Sequence, residues 1–309
     1  MSNWYNEWVL PLVGLVLPLT MTGPVLAQDA DNQAEQKAER VTVSTGMGSE
    51  SVAVQRPDDV VRLDLEGDET GLALFEPELR TPVKGAVLML ADEGQPAGTN
   101  LLTALGEPFK SSGWAVMTVG LETPPYAVQQ FWRHGGDRSD RAAGSVTGDE
   151  NAESVMINVM EDGDLGDLET RYNDRVQSLL DAASADLRQR GYDRVVLVAL
   201  GQGVVHMARF ASGNDGESEM VWIAPWFYPG NDQALNEMLA GRDGLSVLHL
   251  HSARQDSNAA TMLPSERAVR LRDAGIGRYQ TQAVAMRTPP GVRNAGALAN
   301  RIQAWLNAD

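Results

Sequence analysis

The sequence predicts an α/β protein with a mostly parallel central sheet, helices on both faces of that sheet, and an antiparallel N-terminal strand pair. From residue 85 to the C-terminus, apolar strand segments alternate with helical segments, which requires crossover connections between parallel strands. The run "GAVLMLAD" at 85–92 is apolar almost throughout, as is typical of a strand covered on both faces. Before it, "VVRLDLEG" and "TGLALFEPE" alternate apolar and polar residues, which predicts the antiparallel pair.

The later elements follow the same alternation. "NLLTALGEPFKSSG" predicts a short helix and "WAVMTVGLE" a buried strand. Residues 168–190 predict an amphipathic helix, because Val176, Leu180 and Leu187 fall on one stripe and Gly191 follows the last turn. Four strand and helix pairs complete the chain, with strands in "RVVLVAL", "MVWIAPW", "LSVLHLHS" and "YQTQAVAM".

The first residues have the organisation of an export signal. A polar start is followed by an apolar run, and Val25 and Ala27 are the small residues expected before cleavage at Gln28. The start lacks Lys and Arg, so a retained membrane anchor is the alternative, although proline and glycine interrupt the short apolar run. We therefore expect residues 1–27 to be a signal peptide, with no stable membrane span after its cleavage.

The mature chain is expected to have two parts, a flexible N-terminus and one domain that contains an insertion. Residues 28–57 are polar and patternless, which predicts a flexible N-terminus. Residues 58–309 are expected to form a single domain. Within it, residues 122–167 are rich in Gly, Asp and Ser and predict a long insertion, either a functional lid or a partly disordered loop.

Composition excludes several classes of function. With 42 Asp and Glu against 25 Lys and Arg, the net charge is −17, so nucleic acid and anionic membrane surfaces are poor partners. The chain contains no cysteine, which excludes disulfides and thiol catalysis. No motif indicates a cofactor.

Three segments in this order resemble a known family: "KGAVLMLADEGQ", "GWAVMTVGLETPP" and "VVLVALGQGVVHMARF". They are similar to an α/β-hydrolase-like envelope family, domain of unknown function 3530, over about residues 58–309. The resemblance implies the α/β-hydrolase fold and an exported setting. It implies no substrate, because the family brings no established activity.

The strand, turn and helix at 194–206 lack the nucleophile that serine hydrolases of this fold place there. The required pattern is Gly-x-Ser-x-Gly, in which a strained turn lifts the hydroxyl above the sheet. Here Ala199, Leu200, Gly201, Gln202 and Gly203 occupy the five places. Shifting the register by one brings Gln202 to the central place, and an amide is not a nucleophile.

A catalytic acid and base are also hard to find. Asp256 follows a later strand in the usual place of the acid, although a solvated loop aspartate explains it equally well. The loop "RTPPGVRNAG" after the last strand, where the base belongs, contains no histidine. The four histidines lie elsewhere: His134 in the insertion, His206 in the helix after the turn, and His249 and His251 on one strand face.

No metal site is expected. The strand pair of histidines has ligand spacing but lacks a third ligand, so we interpret it as structural. The acidic run "EDGDLGDLE" at 161–169 departs from the order of a calcium loop and is better explained as the solvated start of a helix.

The oxyanion hole is the third part of such a site. One donor would be the backbone N–H of Gln202, and the other comes from the loop after "VLMLAD". Asp92 and Glu93 in that loop would oppose a developing negative charge unless their side chains turn to solvent. Trp226, in "VWIAPWFYPG", either lines the cleft or belongs to the core.

Together these features favour a non-catalytic binding protein or envelope partner, periplasmic or secreted, whose ligand is an unidentified small molecule or envelope protein. The alternative is a divergent hydrolase of the esterase or peptidase class that uses unrecognised residues, such as a His134 delivered by the insertion. Six residues are candidates for a ligand-binding cleft: Asp92, Glu93, His134, Gly201, Gln202 and Trp226.

Overall fold

A computed structural model of the chain describes residues 47–135, 162–214, 216–254 and 262–308. The predicted signal peptide, Asp256 and most of the predicted insertion lie outside these residues, so the expectations for them stay predictions.

Eight strands in the described residues form one sheet with the order β1-β2-β4-β3-β5-β6-β7-β8. Strands β1 and β2 are antiparallel, with Val60 opposite Leu74, and β2 is antiparallel to β4. All other neighbours are parallel, which confirms the predicted fold class. The strands are β1 Val60–Asp64, β2 Thr70–Glu76, β3 Gly85–Glu93, β4 Trp114–Leu121, β5 Val195–Leu200, β6 Ser218–Ile223, β7 Leu245–Ser252 and β8 Arg278–Val284.

Helices connect most of the parallel strands. The α-helices of the described residues are α1 Met47–Gln55, α2 Asn100–Lys110, α3 Tyr126–Arg133, α4 Asp162–Gln189, α5 Gly203–Gly213, α6 Asn231–Met238, α7 Pro264–Asp273 and α8 Ala295–Leu306. None of the helices in this part of the chain is both long and apolar enough to cross a bilayer.

The central strand β3 shows how the core is divided between the two faces of the sheet. Leu88 and Leu90 belong to the core cluster that includes α4 and α5, whereas Val87 and Met89 belong to the cluster that includes α2 and α8. All four side chains are fully buried. Burial of each such side chain contributes about 1.5–3 kcal/mol, so both helix layers are attached to the sheet by alternate residues of one strand.

The structure differs from the sequence pattern at three helices. Helix α4 begins at Asp162, earlier than the predicted 168, because Leu165 is buried and an acidic first turn suits a helix N-terminus. Helix α3 lies in the segment assigned to the insertion. Helix α1 lies in the stretch expected to be flexible, and it is attached by Val52, which packs in a small cluster with Leu74 and Ala97.

Candidate functional site

The predicted strand, turn and helix are formed at the carboxyl end of β5. Gly201 has a φ of +52°, in the left-handed region that favours glycine, and its N–H donates to the carbonyl of Ile223 at 3.1 Å. Helix α5 then begins at Gly203. A Cβ at Gly203 would lie 2.5 Å from the carbonyl oxygen of Ala91, so only glycine lets the helix pack this closely on β3.

The side chain of Asp92 fills the space directly above Gly201. A Cβ built on Gly201 would overlap the carboxyl carbon and both carboxyl oxygens of Asp92, closer than any real Cβ contact. Asp92 comes from the end of β3, the neighbour of β5 in the sheet. A carboxylate from the adjacent strand therefore stands where a residue with a side chain would project from the turn.

This carboxylate is held by three hydrogen-bond donors. Its Oδ1 accepts the backbone N–H of Gln202 at 2.8 Å and that of Glu93 at 2.9 Å. The indole Nε1–H of Trp226 donates to Oδ1 at 2.9 Å and to Oδ2 at 3.2 Å. The two backbone groups have the positions from which the fold binds an oxyanion, one directly after the turn and one at the end of β3. Asp92 thus points inward, not to solvent.

A second carboxylate lies beside the first. Glu93 accepts the Tyr228 hydroxyl at 2.9 and 3.0 Å, and its Oε1 accepts the Gln129 amide at 2.8 Å. Burial, and then the hydrogen bond to Glu93, raise the pKa of Tyr228 to about 12, so the phenol keeps its proton and remains a donor. The adjacent carboxylates therefore have separate sets of donors.

The segment after β6 brings Trp226 and Tyr228 over the turn. Ala224 adopts a φ of +47°, an uncommon conformation for a residue other than glycine, and its N–H donates to the Leu250 carbonyl. The Tyr228 ring then packs between Trp226 and Trp132, at centroid distances of 5.1 and 5.5 Å. Trp226 is half-buried and packs against the core, whereas Tyr228 is buried within it.

The contacts of the four histidine rings within the described residues are with groups outside the turn. His134 is exposed at the end of α3, where its Nδ1 lies 2.7 Å from the Gln130 carbonyl of the same helix. His249 is buried and shares a 2.6 Å hydrogen bond with the Tyr279 hydroxyl. Within the described residues, no histidine nitrogen is hydrogen-bonded to a serine or threonine hydroxyl.

Two of these imidazoles are uncharged inside the protein. Burial, and secondarily Arg209, lower the pKa of His206 to about 3, and neither of its ring nitrogens has a hydrogen-bond partner in the described part of the chain. Its ring instead packs edge-on against Tyr172 of α4 at 5.5 Å. Burial, followed by Arg267 and His251, lowers the pKa of His249 well below its usual value.

The structure brings together five of the six cleft candidates: Asp92, Glu93, Gly201, Gln202 and Trp226. It shows no hydrogen bond from the sixth, His134, to any of them. Two polar contacts were not foreseen from the sequence, the Gln129 amide and the Tyr228 hydroxyl. The sequence places Gln129 in the predicted insertion, where no side-chain contact can be inferred. It identifies Tyr228 as an aromatic residue but does not indicate a partner for its hydroxyl.

No metal centre was found in the described residues. They contain no group of three or more His, Asp or Glu side chains placed to hold a metal ion. From Asp162 onward, the acidic run considered for calcium belongs to helix α4 and not to a loop.

A comparison with protein families matches residues 10–308 to the family described as protein of unknown function (DUF3530). The chain belongs to this family. The match extends over the sheet and the residues around Gly201, and it confirms the resemblance seen in the sequence. No curated protein matches the chain in sequence.

Solved structures share the fold at low sequence identity. Est1E from Butyrivibrio proteoclasticus superposes with a TM-score of 0.51 and 7% identity, covering 81% of this chain and 98% of that one. The esterase domain of a Rhodothermus marinus protein superposes with a TM-score of 0.48 and 11% identity, covering 80% of this chain and 96% of that one. The Pyrococcus furiosus esterase PF2001 superposes with a TM-score of 0.49 and 9% identity, covering 80% of this chain and 89% of that one. The sheet topology and the similarity to Est1E show that this chain has an α/β-hydrolase fold, and at 7% identity that similarity shows the fold alone.

We expect Gly201→Ala to destabilise the protein by about 3 kcal/mol. About 1 kcal/mol comes from the left-handed backbone, and the rest from displacing Asp92 from its donors. Urea unfolding measures the loss. Gly241→Ala is the matched control, because Gly241 also has a positive φ, +76°, but nothing lies within 4 Å of a Cβ there. The control is expected to lose only about 1 kcal/mol.

The same substitution in an Asp92→Ala background separates the two causes. In that background, Gly201→Ala is expected to lower the free energy of unfolding by no more than Gly241→Ala does, since the overlapping carboxylate is gone. An equal cost of Gly201→Ala in both backgrounds would contradict the contact between Asp92 and the turn.

We expect stability to fall as the pH is lowered from 7.5 to 5.5, partly because of His206. Its folded pKa of about 3 lies below the unfolded value of about 6.5, so only the unfolded state gains a proton in this range. The contribution of neutral His206 to the free energy of unfolding is complete above pH 6.5 and is lost progressively toward pH 3. His206→Phe is expected to remove about 1 kcal/mol of the pH dependence of the unfolding free energy. His134→Gln, at an exposed ring, should leave it unchanged, and an unchanged dependence in His206→Phe would refute the assignment.

Proposed function

We propose that this protein is an exported, non-catalytic member of the α/β-hydrolase fold that binds a small molecule or an envelope protein. The single observation that carries the proposal is the Asp92 carboxylate above Gly201, hydrogen-bonded to the backbone N–H groups of Gln202 and Glu93.

The occupied donors argue against acyl transfer at the turn. An oxyanion hole works because preorganised N–H groups face the position where negative charge develops. Here both groups already donate to a carboxylate that belongs to the protein. A substrate oxyanion would have to displace Asp92 and would then lie beside its negative charge. The interaction that normally lowers the barrier is replaced by repulsion.

Among the described residues, no serine or threonine hydroxyl is hydrogen-bonded to an imidazole, which argues against a nucleophile and base near the turn. Gly201 has no side chain, and the Gln202 side chain is an amide that is 1% exposed. Activation of a hydroxyl requires a general base within hydrogen-bond reach, which in Ser-His-Asp sites is an imidazole. His206 and His249 are buried in other contacts, while His134 bonds to its own helix. These positions support a role without covalent catalysis.

The proposed location, periplasmic or secreted, rests on the sequence. The apolar run with small residues before Gln28 supports export to the periplasm or beyond. The N-terminal sequence of the protein recovered from the cell envelope tests this part, and a start at Gln28 is the expected result. An intact N-terminus in the membrane fraction would instead indicate a retained anchor.

We expect the purified protein to be unreactive toward a fluorophosphonate probe and toward a panel of short esters. Gly201→Ser alone, and Gly201→Ser combined with Asp92→Ala, are expected to remain at the background rate of ester hydrolysis. The second variant supplies a hydroxyl and empties the two backbone donors but still lacks a neighbouring base. Covalent labelling by mass spectrometry and initial rates are the measurements.

Two outcomes would contradict the proposal. Turnover by the natural protein that a single point mutation abolishes would establish the divergent hydrolase instead. Hydrolysis by Gly201→Ser, lost again when one histidine is replaced, would show that a base does reach the turn. A ligand-dependent rise in melting temperature without turnover would support the binding role.

A further inference from the structure

A second concave site lies at the carboxyl ends of β7 and β8, formed by residues 253–254 and 285–294. The cavity has a volume of about 720 Å³, within the usual range for small-molecule sites. Three of its lining residues are arginines, Arg254, Arg287 and Arg293, and none of the described lining residues is an aspartate or glutamate. All three arginines are exposed at the cavity.

The guanidinium groups of these arginines have no ionic or hydrogen-bond partner among the described residues, unlike those of Arg56 and Arg175, which have carboxylate partners. Like charges that share a cavity repel one another unless an anion is present. Their common position therefore favours a ligand of opposite charge.

The local sequence is unusual for this chain. Although 42 of the 309 residues are Asp or Glu, neither occurs anywhere from Ala274 to Ala308. This stretch includes β8, the cavity loop at 285–294 and α8, but not the loop that contains Arg254. In a protein whose net charge is −17, a large acid-free segment that carries arginines is the part best suited to attract an anion.

The two loops that form the cavity are tied together by a buried serine. The hydroxyl of Ser252, 6% exposed, donates to the Met286 carbonyl at 2.6 Å and accepts the N–H of Arg254 at 3.2 Å. Within the second loop, the Asn294 side chain accepts the N–H of Gly291 at 3.1 Å. These bonds fix the shape of the cavity in advance, which reduces the entropy lost on binding.

The cavity also offers an apolar surface. Val292 is half exposed, and Met286 and Pro289 line the cavity with it. A phosphate monoester offers three terminal oxygens, and guanidinium groups bind such oxygens with paired N–H donors. A carboxylate has only two oxygens for three arginines, and inorganic phosphate would leave the apolar surface exposed to water.

The geometry points to an organic phosphate monoester as the ligand of this cavity. Its phosphate binds Arg254, Arg287 and Arg293, and its carbon portion packs on Val292, Met286 and Pro289. The ligand is either a free organic phosphate or the headgroup of a lipid with a terminal phosphate. This inference goes beyond the proposed function and does not depend on it, since the arginine cavity contains neither Asp92 nor Gly201.

Calorimetric titration of the purified protein with hexyl phosphate, hexanoate and inorganic phosphate tests the inference. Hexyl phosphate is expected to bind at least about tenfold more tightly than the other two. It alone offers both a phosphate for the three arginines and an alkyl chain for the apolar surface. Arg254→Gln, Arg287→Gln and Arg293→Gln should each raise the Kd for hexyl phosphate about tenfold, the effect of losing one charge-assisted contact. Arg272→Gln is the matched control, at an exposed arginine of α7 outside the cavity, and should change the Kd less than twofold.

Vesicles distinguish the two sources of the phosphate. Sedimentation with phosphatidic acid vesicles, but not with phosphatidylcholine vesicles, would support a lipid headgroup, whereas hexyl phosphate binding without sedimentation would support a free organic phosphate. Absence of hexyl phosphate binding would overturn the inference. It would also be overturned if Arg272→Gln weakened binding as much as the cavity variants, because a general charge effect would then explain the result.

Discussion

The site depends on one contact, the packing of the Asp92 carboxyl group against the bare backbone of Gly201. The two residues are complementary, since the missing side chain leaves the space that the carboxylate fills. The carboxylate in turn satisfies N–H groups at the start of α5 and at the end of β3 that would otherwise lack a partner. The same geometry that presents a nucleophile in other proteins of this fold here holds an internal anion.

The surrounding elements are arranged around this contact. Gly203 allows α5 to approach the Ala91 carbonyl, which brings the Gln202 N–H within reach of the neighbouring strand. The left-handed turn at Ala224 directs the next residues back over the sheet, so that Trp226 supplies the third donor. Residues at or after the ends of β3, β5 and β6 therefore hold one carboxylate. A change in any of these three segments is expected to alter the hydrogen bonds that the carboxylate makes with the other two.

Much of the fold was predictable because strand and helix periodicities are local properties of the sequence. The alternating residues of β1 and β2, the apolar run of β3 and the glycine turn at 201–203 were all interpreted correctly. Helix α1 was not predictable, since its attachment depends on a single buried side chain, Val52, and not on a periodic stripe. The direction of the Asp92 side chain was equally inaccessible, because two of its three donors, Gln202 and Trp226, lie 110 and 134 residues further along the chain.

The acid-free stretch from Ala274 to Ala308 carries arginines and no carboxylate to offset them. Within the described residues it begins next to β8, the edge strand of the sheet, and ends in α8, which packs in the same core cluster as α2. Such a region of positive charge attracts an anion and orients it before contact. Such orientation weakens as ions shorten the Debye length, from about 30 Å in dilute buffer to about 8 Å at physiological ionic strength.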